Sequence, residues 1–181
     1  MRIVGGAWRG RRLAALGAGD AAAHLRPTSD RVREAVFNLL VNARGLDLDG
    51  LRVLDVFAGT GALGFEALSR GADTLTCIES GRKALAVLRQ NAALLSAAPR
   101  IVARDARRPG PGTPHDLIFL DPPYGKGLGE TAIAALHAEG WIAPGATIVW
   151  EEGRAPVLPE FLERIDDRRY GETVITIATA G

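Results

Sequence analysis

The stretch VLDVFAGTGALG at residues 53–64 decides the fold of this chain. Its first half is mostly apolar, and its second half contains Gly59, Gly61 and Gly64. A short apolar run that ends in glycines is typical of a buried strand followed by a tight turn. Glycine lets the backbone turn sharply and come close to a ligand. The stretch therefore predicts a ligand-binding turn at the carboxyl end of a strand.

The three glycines match the pattern G-x-G-x-x-G, which alone is a weak signal for dinucleotide binding. Asp55 argues against a dinucleotide. Its carboxylate lies near the end of the predicted strand, beside the glycine-rich turn, and would repel a phosphate there. The same carboxylate suits the ammonium and sulfonium groups of S-adenosylmethionine. We therefore favour S-adenosylmethionine as the ligand of this turn.

Two further acidic residues follow predicted strands. Glu79 ends the second strand, and Asp105 follows the third. The carboxyl ends of parallel strands meet at one edge of the sheet, where ligands bind. At that edge Glu79 is placed to accept both ribose hydroxyls of the cofactor. Asp105, together with the backbone of Ala106, is placed to meet the adenine amino group.

A second motif, Asp121-Pro122-Pro123-Tyr124, directly follows the apolar run at residues 117–120. An exocyclic amine on a base is a poor nucleophile because its lone pair is delocalised into the ring. The Asp121 carboxylate and the Pro122 carbonyl can each accept one N–H of such an amine and stabilise the charge that develops on it. The prolines hold these acceptors in place, and Tyr124 offers a face for stacking a flipped base. The motif predicts group transfer to nitrogen.

From residue 51 onward the chain alternates predicted strands and helices, which is the pattern of a parallel sheet covered on both faces. The tail differs, because two runs joined at Gly171 predict a closing antiparallel hairpin. We expect an α/β, Rossmann-like fold with a mostly parallel seven-stranded sheet. The predicted strands are 52–57, 74–79, 100–104, 116–121, 146–151, 163–170 and 172–179, and the predicted helices are 61–70, 81–97 and 128–138.

The N-terminal part of the chain has a different character. Residues 1–44 carry eight arginines and three acidic residues, a net charge of +5, whereas the total for the chain is only +1. Residues 2–16 predict a hairpin or arm, and Ser29 or Thr28 is placed to cap a following helix. We expect residues 1–44 to form a basic arm and helix that pack on a domain of residues 45–181. The basic end is expected to contact a polyanion.

Several features exclude other classes of protein. Cys77 is the single cysteine, so no intrachain disulfide can form and a cytoplasmic setting fits. No apolar run approaches the ~20 residues of a membrane span. The N-terminus lacks the apolar core of a signal peptide. No cysteine and histidine cluster has zinc-ligand spacing, so we expect no metal. We also expect a monomer without membrane contact.

Together these residues resemble the class I S-adenosylmethionine-dependent methyltransferases, in particular the branch that methylates amino nitrogens and carries an (Asp/Asn)-Pro-Pro-aromatic motif. The chain also resembles the RsmD family over nearly its whole length, with residues 17–25 and 107–115 as the weakest parts. The specific element is the N-terminal block, RIVGGAWRGR at residues 2–11 followed by RPTSDRVREAVFN at residues 26–38. The run from Leu54 to Ala72 agrees as well.

The resemblance implies methylation of N2 of one guanine, guanine 966, in 16S rRNA of the small ribosomal subunit or its assembly intermediate. S-adenosylhomocysteine would be the product. Ser80 and its neighbours depart from the family, in which a basic or acidic residue is usual after the ribose-binding acid. The implied cofactor residues are Asp55, Phe57, Ala58, Gly59, Thr60, Gly61, Glu79, Ser80, Asp105 and Ala106. The implied guanine site is Asp121, Pro122, Pro123 and Tyr124, and the implied RNA contacts are Arg2, Arg9, Arg11, Arg12, Arg26, Arg31 and Arg33.

Two alternatives stay open. A methyltransferase that acts on adenine N6 of DNA or RNA, or on a protein glutamine amide, would use the same chemistry. DNA adenine enzymes usually need an inserted recognition domain, for which this chain has no segment, and glutamine-amide enzymes usually carry asparagine in place of Asp121. A nucleotide-binding oxidoreductase or a non-catalytic module would explain the glycine turn but leave residues 121–124 without a role.

Overall fold

The computed structural model describes residues 1–17 and 29–181, and a seven-stranded sheet forms its centre. Across the sheet the order is β3-β2-β1-β4-β5-β7-β6, with β1 to β5 parallel and β7 antiparallel to both of its neighbours. This topology confirms the predicted Rossmann-like class I methyltransferase sheet with its closing hairpin. The strands are β1 (Arg52–Val56), β2 (Thr74–Ile78), β3 (Arg100–Val102), β4 (His115–Leu120), β5 (Ile142–Glu152), β6 (Leu162–Tyr170) and β7 (Thr173–Ala180).

Helices cover both faces of the sheet because successive strand residues point to opposite sides. Val53 of β1 belongs to a buried cluster that includes side chains from the first three helices, whereas Leu54 belongs to a second cluster that includes side chains from the fourth. Each strand of the centre is therefore apolar on both faces, as a parallel sheet requires. The helices are α1 (Asp30–Asn38), α2 (Ala62–Ser69), α3 (Arg82–Leu95) and α4 (Leu128–Ala138).

The N-terminal arm, residues 1–17, is a hairpin that packs on the core. Arg2 and Arg12 form an antiparallel bridge, and the Ile3 N–H donates to the Arg11 carbonyl at 2.9 Å. Ile3 is fully buried in the same cluster as Phe37 of α1. After the arm the chain reaches Ser29, whose side chain caps α1, while the alternative cap Thr28 lies outside the described residues. Past its end α1 continues into a π-helical segment, Leu39–Ala43.

Two strand boundaries differ by more than one residue from those predicted. β5 begins at Ile142 rather than at residue 146, because the His115 N–H donates to the Trp141 carbonyl at 2.9 Å and starts the ladder early. The register then shifts between His115 and Leu117, so the extra residues form an irregularity near Gly145. β3 is shorter than predicted and ends at Val102. No helix within the described ranges is long and apolar enough to cross a membrane.

Candidate active site

The two motifs of the sequence meet at the carboxyl edge of the sheet. β1 and β4 are parallel neighbours, and Asp55 is paired with Phe119. Asp121 lies two residues beyond Phe119, and its N–H faces the Val56 carbonyl at 3.4 Å. With the usual strand rise and spacing, the Cα atoms of Asp55 and Asp121 are about 8 Å apart. One ligand can therefore contact both residues.

Asp55 is a buried carboxylate at the floor of the glycine turn. Its Oδ2 accepts a hydrogen bond from the Gly64 N–H at 2.9 Å. Burial raises the pKa of Asp55 to about 7; the Gly64 N–H opposes that shift, and the nearby Glu79 carboxylate adds to it. Near neutral pH the side chain is thus close to its titration midpoint. A cation bound beside it would favour the ionised form.

The backbone of the turn adopts left-handed angles at three positions. Gly59 and Gly61 have φ values of 56° and 78°, and Phe57 has a φ of 59°. Left-handed backbone is unusual for a non-glycine residue and clusters at functional sites. Gly61 is also crowded, because a Cβ there would lie 2.5 Å from Leu88 Cδ1 and 2.6 Å from Phe65 Cε2.

We expect Gly61→Ala to lower the free energy of unfolding by about 2–4 kcal/mol, since left-handed strain and overlap with a packed core act together. Gly59→Ala is the matched control. It carries the same strain, but its added Cβ would meet nothing closer than 3.9 Å, so we expect a loss of only about 1–2 kcal/mol. Urea unfolding of both variants measures the difference. Equal losses would show that packing beneath Gly61 is unimportant.

Glu79 links the turn that follows β1 to the turn that follows β2, because its carboxylate accepts backbone N–H groups from both. Its Oε2 accepts from the Gly59 N–H at 2.8 Å, and its Oε1 accepts from the N–H groups of Ser80 at 2.8 Å and Gly81 at 2.6 Å. A carboxylate offers about four lone-pair sites. Three are used here, so one remains for a ligand without displacing the backbone.

Asp105 lies farther along the same edge, just after β3, and its carboxylate is occupied by Arg107. The Arg107 Nη2 donates to Asp105 Oδ2 at 2.6 Å, and the Arg107 N–H donates to Oδ1 at 2.9 Å. These hydrogen bonds hold the pKa of Asp105 below its usual range. Ala106 beside it is buried. A ligand amino group at Asp105 would share the carboxylate with Arg107.

The Asp-Pro-Pro-Tyr turn projects an anchored aromatic ring. Pro122 is buried and Tyr124 is exposed, yet the Tyr124 hydroxyl donates to Glu151 Oε1 at 2.8 Å and lies 3.0 Å from Thr173 Oγ1. Partial burial, and then the Glu151 charge, raise the pKa of Tyr124. The phenol therefore stays neutral. Its ring is held at the edge of the site, and the residue is 39% exposed.

Among the described residues, the predicted RNA-contacting arginines separate into two groups. Arg33 is fully buried, pairs with Asp30 at 2.8 Å and lies 3.5 Å from the Glu66 carboxylate. It is therefore part of the core, and the prediction that it contacts RNA is replaced by a structural role. Arg26 lies outside the described residues. Arg2, Arg9, Arg11, Arg12 and Arg31 are exposed.

Three polar residues of the site escaped the sequence analysis. Glu151 and Thr173 hold Tyr124, and Asn91 of α3 donates to the Thr60 carbonyl at 3.0 Å. Glu151 had a usable signal, because it ends an apolar strand in the same way as Asp55 does. Asn91 and Thr173 had none, since a single polar residue within a helix or strand is usually solvated.

Comparisons with known proteins agree on one family. The profile described as "Conserved hypothetical protein 95" matches residues 1–179. "Ribosomal RNA small subunit methyltransferase D" of Escherichia coli is 42% identical over 165 residues, 88% of this chain and 79% of that protein. The protein of the same name from Haemophilus influenzae is 37% identical over 94% of this chain and 89% of its own length. The solved structure of Escherichia coli yhhF superposes with a TM-score of 0.85 at 39% identity, covering 99% of this chain and 97% of that one.

Proposed function

This chain belongs to the family described as "Conserved hypothetical protein 95", which includes ribosomal RNA small subunit methyltransferase D, and from this premise we propose that it methylates ribosomal RNA with S-adenosylmethionine. The finer proposal is transfer to the exocyclic N2 of one guanine of 16S rRNA, guanine 966, within the small subunit or its assembly intermediate. The enzyme would act in the cytoplasm as a monomer.

The observation that carries this proposal is that Asp55 of β1 and Asp121, which directly follows β4, lie at the same edge of two neighbouring strands. The bound cofactor would supply an electrophilic methyl group on a positively charged sulfur. Asp55 would face the cationic amino acid end of that cofactor. Asp121 and the Pro122 carbonyl would accept the two N–H groups of the guanine amine, which leaves its lone pair directed at the methyl carbon.

Transfer would form a carbon–nitrogen bond as the carbon–sulfur bond breaks, release S-adenosylhomocysteine, and pass one proton of the amine to the Asp121 carboxylate or to water. The acceptors on Asp121 and Pro122 stabilise the positive charge that develops before that proton leaves. Tyr124 would stack on the flipped guanine, which contributes roughly 1–3 kcal/mol to base binding. Its hydroxyl bonds to Glu151 and Thr173 keep the ring from rotating away.

The adenosine half of the cofactor would lie along the ends of β2 and β3. Glu79 has one lone-pair site left for a ribose hydroxyl, and Asp105 would share its carboxylate between Arg107 and the adenine amino group. We propose that the turn residues Phe57, Ala58, Gly59, Thr60 and Gly61, together with Ser80 and Ala106, complete this site through their backbone.

RNA would approach over the basic N-terminal end. We propose that Arg2, Arg9, Arg11, Arg12 and Arg31 contact phosphates there, because these residues are exposed and a guanidinium group suits bidentate phosphate contacts. Such contacts position the RNA without reading its sequence. Selection of one guanine would come from the pocket formed by Asp121, Pro122 and Tyr124.

The affinity for the cofactor is expected to decrease as the pH is lowered from 7.5 to 5.5. The free protein has Asp55 at a pKa of about 7, and a cationic ligand requires the ionised form. At pH 7.5 most molecules carry that charge, whereas at pH 5.5 binding must first remove a proton. We expect the dissociation constant for S-adenosylmethionine to rise about 20-fold between pH 7.5 and pH 5.5, measured by titration calorimetry.

Asp55→Asn is the matched control for this pH dependence. The amide keeps the shape and can still accept the Gly64 N–H, but it does not titrate. We expect weaker binding that is nearly flat across the same window. A wild-type affinity independent of pH would show that Asp55 does not face the cationic end of the cofactor.

The proposed function is tested by transfer of a radiolabelled methyl group to small ribosomal subunits that lack the modification, followed by mapping of the labelled nucleotide. We expect label on N2 of a single guanine. Label on adenine N6 or on a protein glutamine would replace the substrate assignment, and no transfer from S-adenosylmethionine to any of them would overturn the proposal.

A further inference from the structure

The N-terminal arm and the cofactor turn are joined by one buried amide. Asn91 of α3 is fully buried. Its Oδ1 accepts from the Ala14 N–H at 2.7 Å, and its Nδ2 donates to the Ala14 carbonyl at 3.1 Å and to the Thr60 carbonyl at 3.0 Å. Thr60 lies in the glycine turn, and Ala14 lies in the arm. The side chain thus bonds both elements at once.

A second contact joins the same two elements. The Thr60 hydroxyl lies 3.8 Å from the sulfur of Met1, at the other end of the hairpin. The remaining anchors of the arm act elsewhere. The Ser69 hydroxyl accepts from the Trp8 N–H at 2.9 Å and donates to the Gly5 carbonyl at 2.6 Å, at the carboxyl end of α2. Asn91 is therefore distinguished from Ser69 by its bond to the turn.

We propose that Asn91 is a positioning residue that couples RNA binding on the arm to cofactor binding in the glycine turn. The inference rests on the proposed function and extends it to the interplay of the two ligands. RNA held by the arm arginines fixes the backbone at Ala14, which fixes the Asn91 amide. The amide then fixes the Thr60 carbonyl and the turn between Gly59 and Gly61.

Coupling of this kind is reciprocal for binding free energies. If RNA tightens the cofactor, the cofactor tightens RNA by the same factor. A buried amide suits this task because each of its hydrogen bonds is costly to leave unmade. A shift of the backbone at Ala14 must therefore move the Asn91 side chain or break one of its hydrogen bonds. The enzyme would then favour the complex with both ligands over either complex alone.

The test measures the affinity of radiolabelled S-adenosylhomocysteine by equilibrium dialysis, with and without small subunits that lack the methyl group. This product cannot turn over. For the wild type we expect subunits to tighten its binding roughly tenfold. Asn91→Leu keeps the γ-branched shape and removes all three bonds, so we expect weaker binding and a coupling factor near one. Ser69→Ala is the matched control, because it loosens the arm without touching the turn, and we expect it to keep the coupling.

Ala14→Pro tests the same link without altering the core. It removes the N–H that donates to Asn91 Oδ1 and leaves the bond between Asn91 and Thr60 in place. We expect nearly unchanged affinity for S-adenosylhomocysteine alone and a reduced coupling factor. Wild-type coupling in both Asn91→Leu and Ala14→Pro, or an equal loss in Ser69→Ala, would overturn the inference. A wild type that methylates the subunits but shows no coupling would overturn this inference alone and leave the proposed function standing.

Discussion

Asp121→Ala is expected to lower kcat for methyl transfer about 10²–10³-fold while leaving the affinity for S-adenosylmethionine within about twofold of the wild type. Asp121 would accept an N–H of the guanine amine, and this acceptor matters most when positive charge develops on the nitrogen. The cofactor would be held mainly by Asp55 and Glu79, which this change leaves in place. Single-turnover methyl transfer and calorimetric titration give the two quantities separately.

Asp116→Asn is the matched control for Asp121→Ala. Asp116 is an acidic residue at the amino end of β4, where it pairs with Arg52, whereas Asp121 follows the carboxyl end of that strand. We expect wild-type kcat for this variant. A rate loss for Asp121→Ala of less than tenfold would show that the Pro122 carbonyl suffices as the acceptor. The negative charge of Asp121 would then have no part in the mechanism.

Substitutions of Tyr124 separate stacking from anchoring. Tyr124→Ala removes the ring and should raise KM for the subunit with a smaller change in kcat, because stacking acts on the bound base before and during transfer. Tyr124→Phe keeps the ring and removes only the bonds to Glu151 and Thr173. We expect an increase in KM that is smaller than that of Tyr124→Ala. The size of this increase measures how much the hydrogen bonds of the hydroxyl contribute to base binding.

The alternation of strands and helices was predictable because its signals are local. Short apolar runs that contain Asp55 or stop at Glu79 and Asp121 mark strands whatever the rest of the chain does. The observed sheet order then brings the β1, β2 and β4 ends to one edge, as expected for a parallel sheet. The order of the strands is less local, and it followed from the family resemblance rather than from any spacing.

Contacts that depend on distant partners were not predictable. Arg33 lies in an arginine-rich segment, which predicts a phosphate contact. In the fold it is buried beside Glu66 of another helix, and the sequence does not show that the two residues meet. Glu79 was expected to offer its whole carboxylate to a ribose, yet backbone N–H groups fill most of it. Likewise Arg107 occupies Asp105. In each case the predicted binding group already has a partner within the protein, and that partner could not be identified from the sequence.

Glu66→Ala is expected to lower the free energy of unfolding by about 3–5 kcal/mol, because it leaves two backbone N–H groups of the arm without their acceptor and leaves the buried Arg33 with Asp30 as its remaining carboxylate partner. Glu66 is fully buried and serves three elements. It accepts from the Val4 N–H at 2.9 Å and the Gly5 N–H at 2.8 Å of the arm, from Arg70 at 2.8 Å, and it lies 3.5 Å from Arg33. Urea unfolding measures the loss, and the melting temperature should drop by roughly 10 °C.

The exposed pair Arg52–Asp116 provides the comparison for this buried carboxylate. Its geometry is better, with an N–O distance of 2.7 Å, but both side chains are partly exposed. Solvated ion pairs contribute little, so Asp116→Asn should cost less than about 1 kcal/mol. If Glu66→Ala costs no more than Asp116→Asn, the arm is held by its apolar contacts and by its hydrogen bonds to Ser69 and Asn91. If it costs several times more, the buried carboxylate of Glu66 docks the arm, through the Val4 and Gly5 N–H groups and through its charge interactions with Arg33 and Arg70.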